Sequence, residues 1–186
     1  KLLPVTIPEQ EGIVDREKLL DISGRARRRQ YELASLLGVD SFSSPGGGCL
    51  LTEKAFGARL DDVLKKGCAD IASTAVLGIG RYFRIDDDTF VILGRDQDEN
   101  EKLLAQAMPQ DVLLRPMVFP GPVALVRARA VKEAHITLAA GLCQFYSKLR
   151  GKEPLPVACW RADDPARVQE IVAGTVDESD VKRMSL

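Results

Sequence analysis

Nothing in the 186 residues provides for a membrane span, a metal cluster or a disulfide framework. No apolar run reaches the roughly 18 residues of a spanning helix, and the amino end lacks a signal-peptide pattern. The cytoplasm is therefore the default expectation, with no membrane as partner. The single histidine, His135, has no carboxylate or thiol three or four positions after it, so a packed or surface histidine is expected and a metal site is not. Four cysteines (Cys49, Cys68, Cys143 and Cys159) stand 19, 75 and 16 positions apart without a Cys-x-x-Cys pair, which supports neither disulfides nor zinc. An excess of one charge is also missing. Lysine and arginine total 26 against 27 aspartates and glutamates, which excludes a histone-like protein or an acidic tail but not a local patch. Phosphate-loop, dinucleotide-fingerprint and serine-hydrolase motifs are absent, so the sequence motivates no cofactor in this chain.

What is present is a globular composition, 45% hydrophobic and 28% charged, suited to one domain or two small ones. The opening run Lys1 to Pro8, without an initiating methionine, reads as an extended connector within a longer protein. Short helices are expected over Asp15 to Ile22 and through Leu33, Ala34, Leu36 and Leu37 to a stop at Gly38. A serine-, proline- and glycine-rich loop, Ser41 to Gly48, precedes a helix with Phe56, Leu60, Val63 and Leu64 on one face. Beyond Gly67 the pattern changes. Arg81 to Ile85 and Thr89 to Leu93 predict a hairpin about Asp86-Asp87-Asp88. Asp98 and Glu101 predict the cap of a helix over Asn100 to Met108. Strands are expected at Val112 to Leu114, Val123 to Val126 and Leu155 to Trp160, and helices at Val131 to Leu149 and Pro165 to Val172. The class is α+β, divided into a helical region, 1–69, and a mixed region, 70–186.

Two features invite chemistry. Cys49 follows three glycines before a helix, where N–H groups and the dipole favour a thiolate; the alternative is a cysteine packed near Leu50 and Leu51. Arg25, Arg27, Arg28 and Arg29 crowd the first turn of a helix, where the macrodipole disfavours cations. They point either to a polyanion partner or to a solvated face. Further basic residues, among them Arg81, Arg84, Arg95, Arg115, Arg127, Arg129, Lys148, Arg150 and Lys152, recur with aromatics in the mixed region, a combination suited to RNA. Strand alternation places Tyr82 and Arg84 on one face, Arg81 and Phe83 on the other.

The run Arg81 to Ile85, then Val91-Ile92-Leu93-Gly94-Arg95-Asp96 with Asn100, Asp111-Val112-Leu113, Pro120-Gly121-Pro122, Ala139-Ala140 and Tyr146-Ser147 resembles the RNA-binding domain of the NFACT proteins. The match spans about residues 80 to 160. Asp96 stands where that family has Asn, Leu113 and Arg115 where it has Trp and His, and Pro122 and Val123 where it has Ser and His.

The first part, from Lys1-Leu2-Leu3-Pro4 through Val14 to Arg25 and Ser44-Pro45-Gly46-Gly47-Gly48-Cys49-Leu50-Leu51-Thr52, is similar to the segment that follows the ATP-pyrophosphatase (PP-loop) domain in bacterial tRNA thiouridylase-like proteins, often labelled tRNA (5-methylaminomethyl-2-thiouridylate) methyltransferases. The Ser-Gly-Gly-x-Asp-Ser motif of that domain is absent here. The resemblance implies a carboxy-terminal portion that positions tRNA for a PP-loop domain outside this chain. ATP would be used only by that domain, Cys49 would carry sulfur or act as nucleophile, and a sulfur donor protein would be a further partner. By itself the chain is expected not to be catalytic. The competing expectations are a protein- or ribosome-interaction module, and a sulfur-transfer protein acting on a small molecule.

Overall fold

From Thr89 to Leu93 the chain carries no charge, and all five residues are buried. An apolar run of that length suits a strand with both faces covered, and the architecture follows from this strand. The computed structural model describes residues 4–22, 27–39, 41, 49–67, 71–148, 150 and 153–186. The chain forms two compact units, Lys1–Gly47 and Gly48–Leu186.

In the second unit, β1 (Arg81–Asp86), β2 (Thr89–Leu93), β3 (Val112–Pro116), β4 (Ala124–Ala128), β5 (Pro156–Arg161) and β6 (Asp164–Val172) make one antiparallel sheet ordered β1-β2-β4-β3-β5-β6. Phe83, Val91, Leu93, Leu114 and Val126 face one way and pack with Ala139, Ala140, Leu142 and Cys143 of helix Glu133–Phe145 and with Val181 and Met184 of helix Glu178–Met184. Tyr82, Phe90, Ile92, Leu113 and Leu125 face the other way, against Val63 of helix Lys54–Lys65 and Leu103 of helix Gln97–Ala105. A short helix, Ile71–Val76, contributes Val76 to the same side. The α+β class therefore holds, with helices on both faces of the sheet. Helix 54–65, assigned by sequence to the helical region 1–69, packs with the sheet, with Phe56 and Leu60 against its core and Leu64 exposed.

Several local expectations change. Residues 164–172 are a strand, not a helix: β6 pairs along β5, with Val157 opposite Ile171 and Ala158 opposite Glu170. Pro165 is tolerated near the start of this edge strand, where no neighbour needs its missing N–H. The helix after β2 begins earlier than expected. Asp96 is its cap, accepting from the Glu99 N–H at 2.9 Å. His135 is packed: its Nδ1 accepts the Lys132 N–H at 3.3 Å, so Nε2 carries the proton toward Asp86 at 3.0 Å. Burial alone would raise the Asp86 carboxyl, but hydrogen bonds from Thr89 and the Asp88 amide and the proximity of His135 hold it below its ordinary value.

The first unit is thinner. It holds helices Ile7–Gln10 and Arg28–Leu36 and a 3₁₀ turn, Arg16–Lys18, and among its described residues none is buried. The helix expected over residues 15–22 contracts to that turn. Asp15 does cap it, accepting from Glu17 N–H at 3.0 Å, but Leu19 and Leu20 remain exposed, and a short helix without a buried face is marginal in water. Glu9 links the ends of this stretch: Arg16 grips it at 2.7 and 2.8 Å, and these hydrogen bonds bring its carboxyl down to about 2.

Arg127, counted among the scattered basic residues, lies inside the second unit. Its guanidinium makes a two-point pair with Asp111 at 2.9 and 2.6 Å, and Asp111 also accepts the Met108 N–H at 2.7 Å. Both side chains are almost wholly excluded from solvent, so removing one partner strands a buried charge. Asp111→Ala is expected to destabilise the protein by about 3–5 kcal/mol. The double change Asp111→Leu with Arg127→Met is expected to cost less than the single one, both read from urea midpoints.

Candidate functional site

Antiparallel pairing aligns the start of β1, the end of β2, the start of β4 and the end of β3: Arg81 lies opposite Leu93, Leu93 opposite Ala124, and Ala124 opposite Leu114. The same end of the sheet receives the first turn of helix 97–105 and the residues following helix 133–145. Together they enclose an open groove of about 960 Å³, bordered by Arg81, Arg95, Asn100, Arg115, Tyr146 and Lys148 and by the loop from Pro116 to Val123.

That loop is held by one side chain. The Asn100 amide donates to the Gly121 carbonyl at 3.2 Å and accepts the Val123 N–H at 2.8 Å, while the Gly94 N–H donates to the Val123 carbonyl at 3.0 Å. A Cβ on Gly94 would sit 2.2 Å from Asn100 Oδ1, so this approach requires glycine. At the other end of the loop, Met117 N–H is tied to the Pro156 carbonyl at 3.1 Å. Sequence reasoning included Asn100 and Pro120-Gly121-Pro122 in a motif; the structure shows them bonded to each other as the scaffold of a wall. It did not identify Met117 and Val118, which are exposed on that wall, and the surrounding prolines were the available signal.

The structure sorts the basic residues by their partners. Arg81 and Arg115 converge on the groove with Lys148, and among the described residues none of the three has a carboxylate partner. Two are steadied by rings instead: Arg81 lies 4.5 Å from the Tyr146 centroid and Arg115 5.9 Å from that of Trp160. Arg95 also borders the groove but is clasped by Glu99 at 2.6 and 3.0 Å, and the guanidinium holds the Glu99 carboxyl below the usual carboxylate range. Arg84 does not join them. On the sheet face opposite that of Arg81 it binds Asp62, through Nε at 2.7 Å, and the Tyr82 hydroxyl at 2.7 Å, joining helix 54–65 to β1. Arg129 faces Asp88 at 3.5 Å, and Arg150 is paired with Glu178 at 2.9 Å. Lys152 lies outside the described residues.

In the first unit, Arg28 opens its helix and pairs with Glu32 at 2.9 Å, Arg29 pairs with Asp21 at 2.8 Å, and Arg27 occupies the cap position. Arg25 and the glycines at 46–48 lie outside the described residues, as does Cys68. Cys49 is exposed, while Cys143 and Cys159 are buried. It precedes a three-residue 3₁₀ turn, Leu50–Thr52, and helix 54–65 starts beyond Glu53, so the helix expected to begin beside the thiol begins further along. Leu50 and Leu51 are exposed too, which removes the alternative of a packed thiol. Burial pushes the Cys143 thiol up to about 12 and that of Cys159 up to about 11.

The family model for the NFACT protein RNA binding domain matches residues 80–183, more than half of the chain. The fold is similar to that of the C-terminal part of the fibronectin/fibrinogen-binding protein from Streptococcus suis, with a TM-score of 0.51 and 17% identity, over 71% of this chain and 67% of that one. No curated protein matches the sequence. Among the described residues, no helix is long and apolar enough to cross a membrane.

The three described thiols differ in access, and burial keeps two of them protonated. Alkylation of the native protein at neutral pH, followed by mass spectrometry, is expected to modify Cys49 first and Cys143 last, because only thiolates react and the buried thiols stay protonated.

Proposed function

As the chain belongs to the NFACT protein RNA-binding family, we propose that it binds RNA through the groove at the end of the sheet, with Arg81, Arg115 and Lys148 neutralising phosphates. The observation that carries this is the sorting of cations. Arg84, Arg95 and Arg127 are each engaged by a carboxylate, whereas Arg81, Arg115 and Lys148, which have none among the described residues, border a single groove. A guanidinium resting on a ring is held in place without being neutralised, which leaves its charge for a phosphate. Fluorescence anisotropy with tRNA across a salt series tests the assignment. Arg81→Gln and Arg115→Gln are each expected to flatten the slope of log affinity against log salt by about 0.7–0.9. An unchanged slope in both would place the contacts elsewhere, and a lack of salt-dependent binding would favour a protein-interaction module.

The finer reading takes the RNA to be tRNA and the parent protein to be an ATP-dependent uridine-thiolating enzyme. It is supported by the order of motifs through residues 1–52 and by the exposure of Cys49. In this reading the chain holds tRNA, a PP-loop domain outside it uses ATP, and Cys49 receives sulfur from a donor protein. The cluster Arg27, Arg28 and Arg29, with Arg25, adds a second cationic contact. The exposed pairs of Arg28 and Arg29 are of the kind that a phosphate exchanges at little cost. In a parent protein carrying the PP-loop domain, Cys49→Ser is expected to abolish thiolation while tRNA binding persists. Retained thiolation would remove Cys49 from the chemistry.

A further inference from the structure

The groove mixes charge with exposed apolar surface. Its cations come from the start of β1, the end of β3 and the residues after helix 133–145, Arg81 beside Tyr146 on one sheet face and Arg115 beside Trp160 on the other. The first turns of helix 97–105, which follows β2, add Asp96, Gln97 and Glu101 to its lining. The loop closing the groove is apolar and exposed, Met117 by 52% and Val118 by 68%, with Leu104 exposed by 39% on the helix side.

We propose that the groove takes a short unpaired stretch of RNA, with its phosphates along Arg81, Arg115 and Lys148 and its bases against the Met117–Val118 wall. The inference rests on the RNA-binding reading above and narrows it to one class of RNA. The outer surface of an A-form duplex is phosphate, 2′-hydroxyl and the edges of stacked pairs; it has no exposed base face for an apolar wall to cover. An unpaired strand has free base faces as well as phosphates, which matches a groove whose lining joins cations to an exposed apolar loop. The polar groups in the same lining suit base edges, since a carboxylate or amide accepts from exocyclic amines while repelling phosphate. The wall is also preorganised: the Asn100 bonds and the Met117 tie to Pro156 hold its two ends, and a Cβ on Gly121 would lie 2.8 Å from the Pro116 ring. Little ordering entropy is therefore lost when a base settles on it.

The test uses the full chain and three RNAs of one sequence family: an unstructured single strand, a hairpin with an unpaired loop, and a blunt duplex. The single strand and the hairpin are expected to bind about tenfold tighter than the duplex. The double variant Met117→Ser with Val118→Ser, at exposed positions, is expected to lose about tenfold for those two while leaving the duplex unchanged, the scale of one lost base stack. Duplex binding as tight as single-strand binding would overturn the inference and leave the RNA-binding reading intact. So would a variant that weakens all three RNAs equally. No binding of any of the three at low salt would overturn the RNA-binding reading itself. Circular dichroism confirms that the variant keeps its fold.

Discussion

Strands β2 and β4 are covered on both faces of the sheet, and the second unit is arranged around that constraint. The central strands β2 and β4 can carry almost nothing but apolar side chains, and a charged group within the sheet must reach an edge or an end, or be fully paired. Asp111 and Arg127 show the paired case: two charges inside the unit, tolerated because each satisfies the other and because Asp111 also receives a backbone N–H. Such a pair adds little net stability relative to an apolar substitute, since desolvation offsets much of the attraction. It does fix where the turn at Met108 meets β4.

The same constraint turns a diffuse basic character into a localised one. With near-zero net charge, the chain has no overall field to attract a polyanion, so any attraction must come from local placement. The carboxylates do the sorting. Asp62 takes Arg84, Glu99 takes Arg95 and Glu178 takes Arg150, while Arg81, Arg115 and Lys148, without a carboxylate partner among the described residues, border the sheet end where strand termini, a helix end and a loop converge. Loops and strand ends at such a position are where binding residues can vary without disturbing the core.

The wall of that groove depends on a contact between parts distant in sequence. Asn100 sits on a helix, yet its amide serves the backbone of residues 121–123, and Gly94 makes room for it. Burying those backbone groups without a partner would cost more than the bonds return, so the loop keeps one shape. A wall of one shape beside charged residues discriminates by fit as well as by charge.

Features that depend on near neighbours could be read along the chain. The β1–β2 hairpin was legible because its strands and aspartate turn are contiguous. Tyr82 and Arg84 were separable from Arg81 and Phe83 because side chains alternate along any strand, and Asp15 was legible as a cap because capping acts over two or three residues. Tertiary structure alone decided the rest. Residues 164–172 became a strand because the edge of β5 offered hydrogen bonds that a helical pattern cannot foresee. Arg84, Arg115 and Arg127 look alike along the chain; they differ because Asp62 and Asp111 approach two of them from elements 22 and 16 residues away in sequence. Which cation is free depends on which carboxylate is near, and folding decides that proximity.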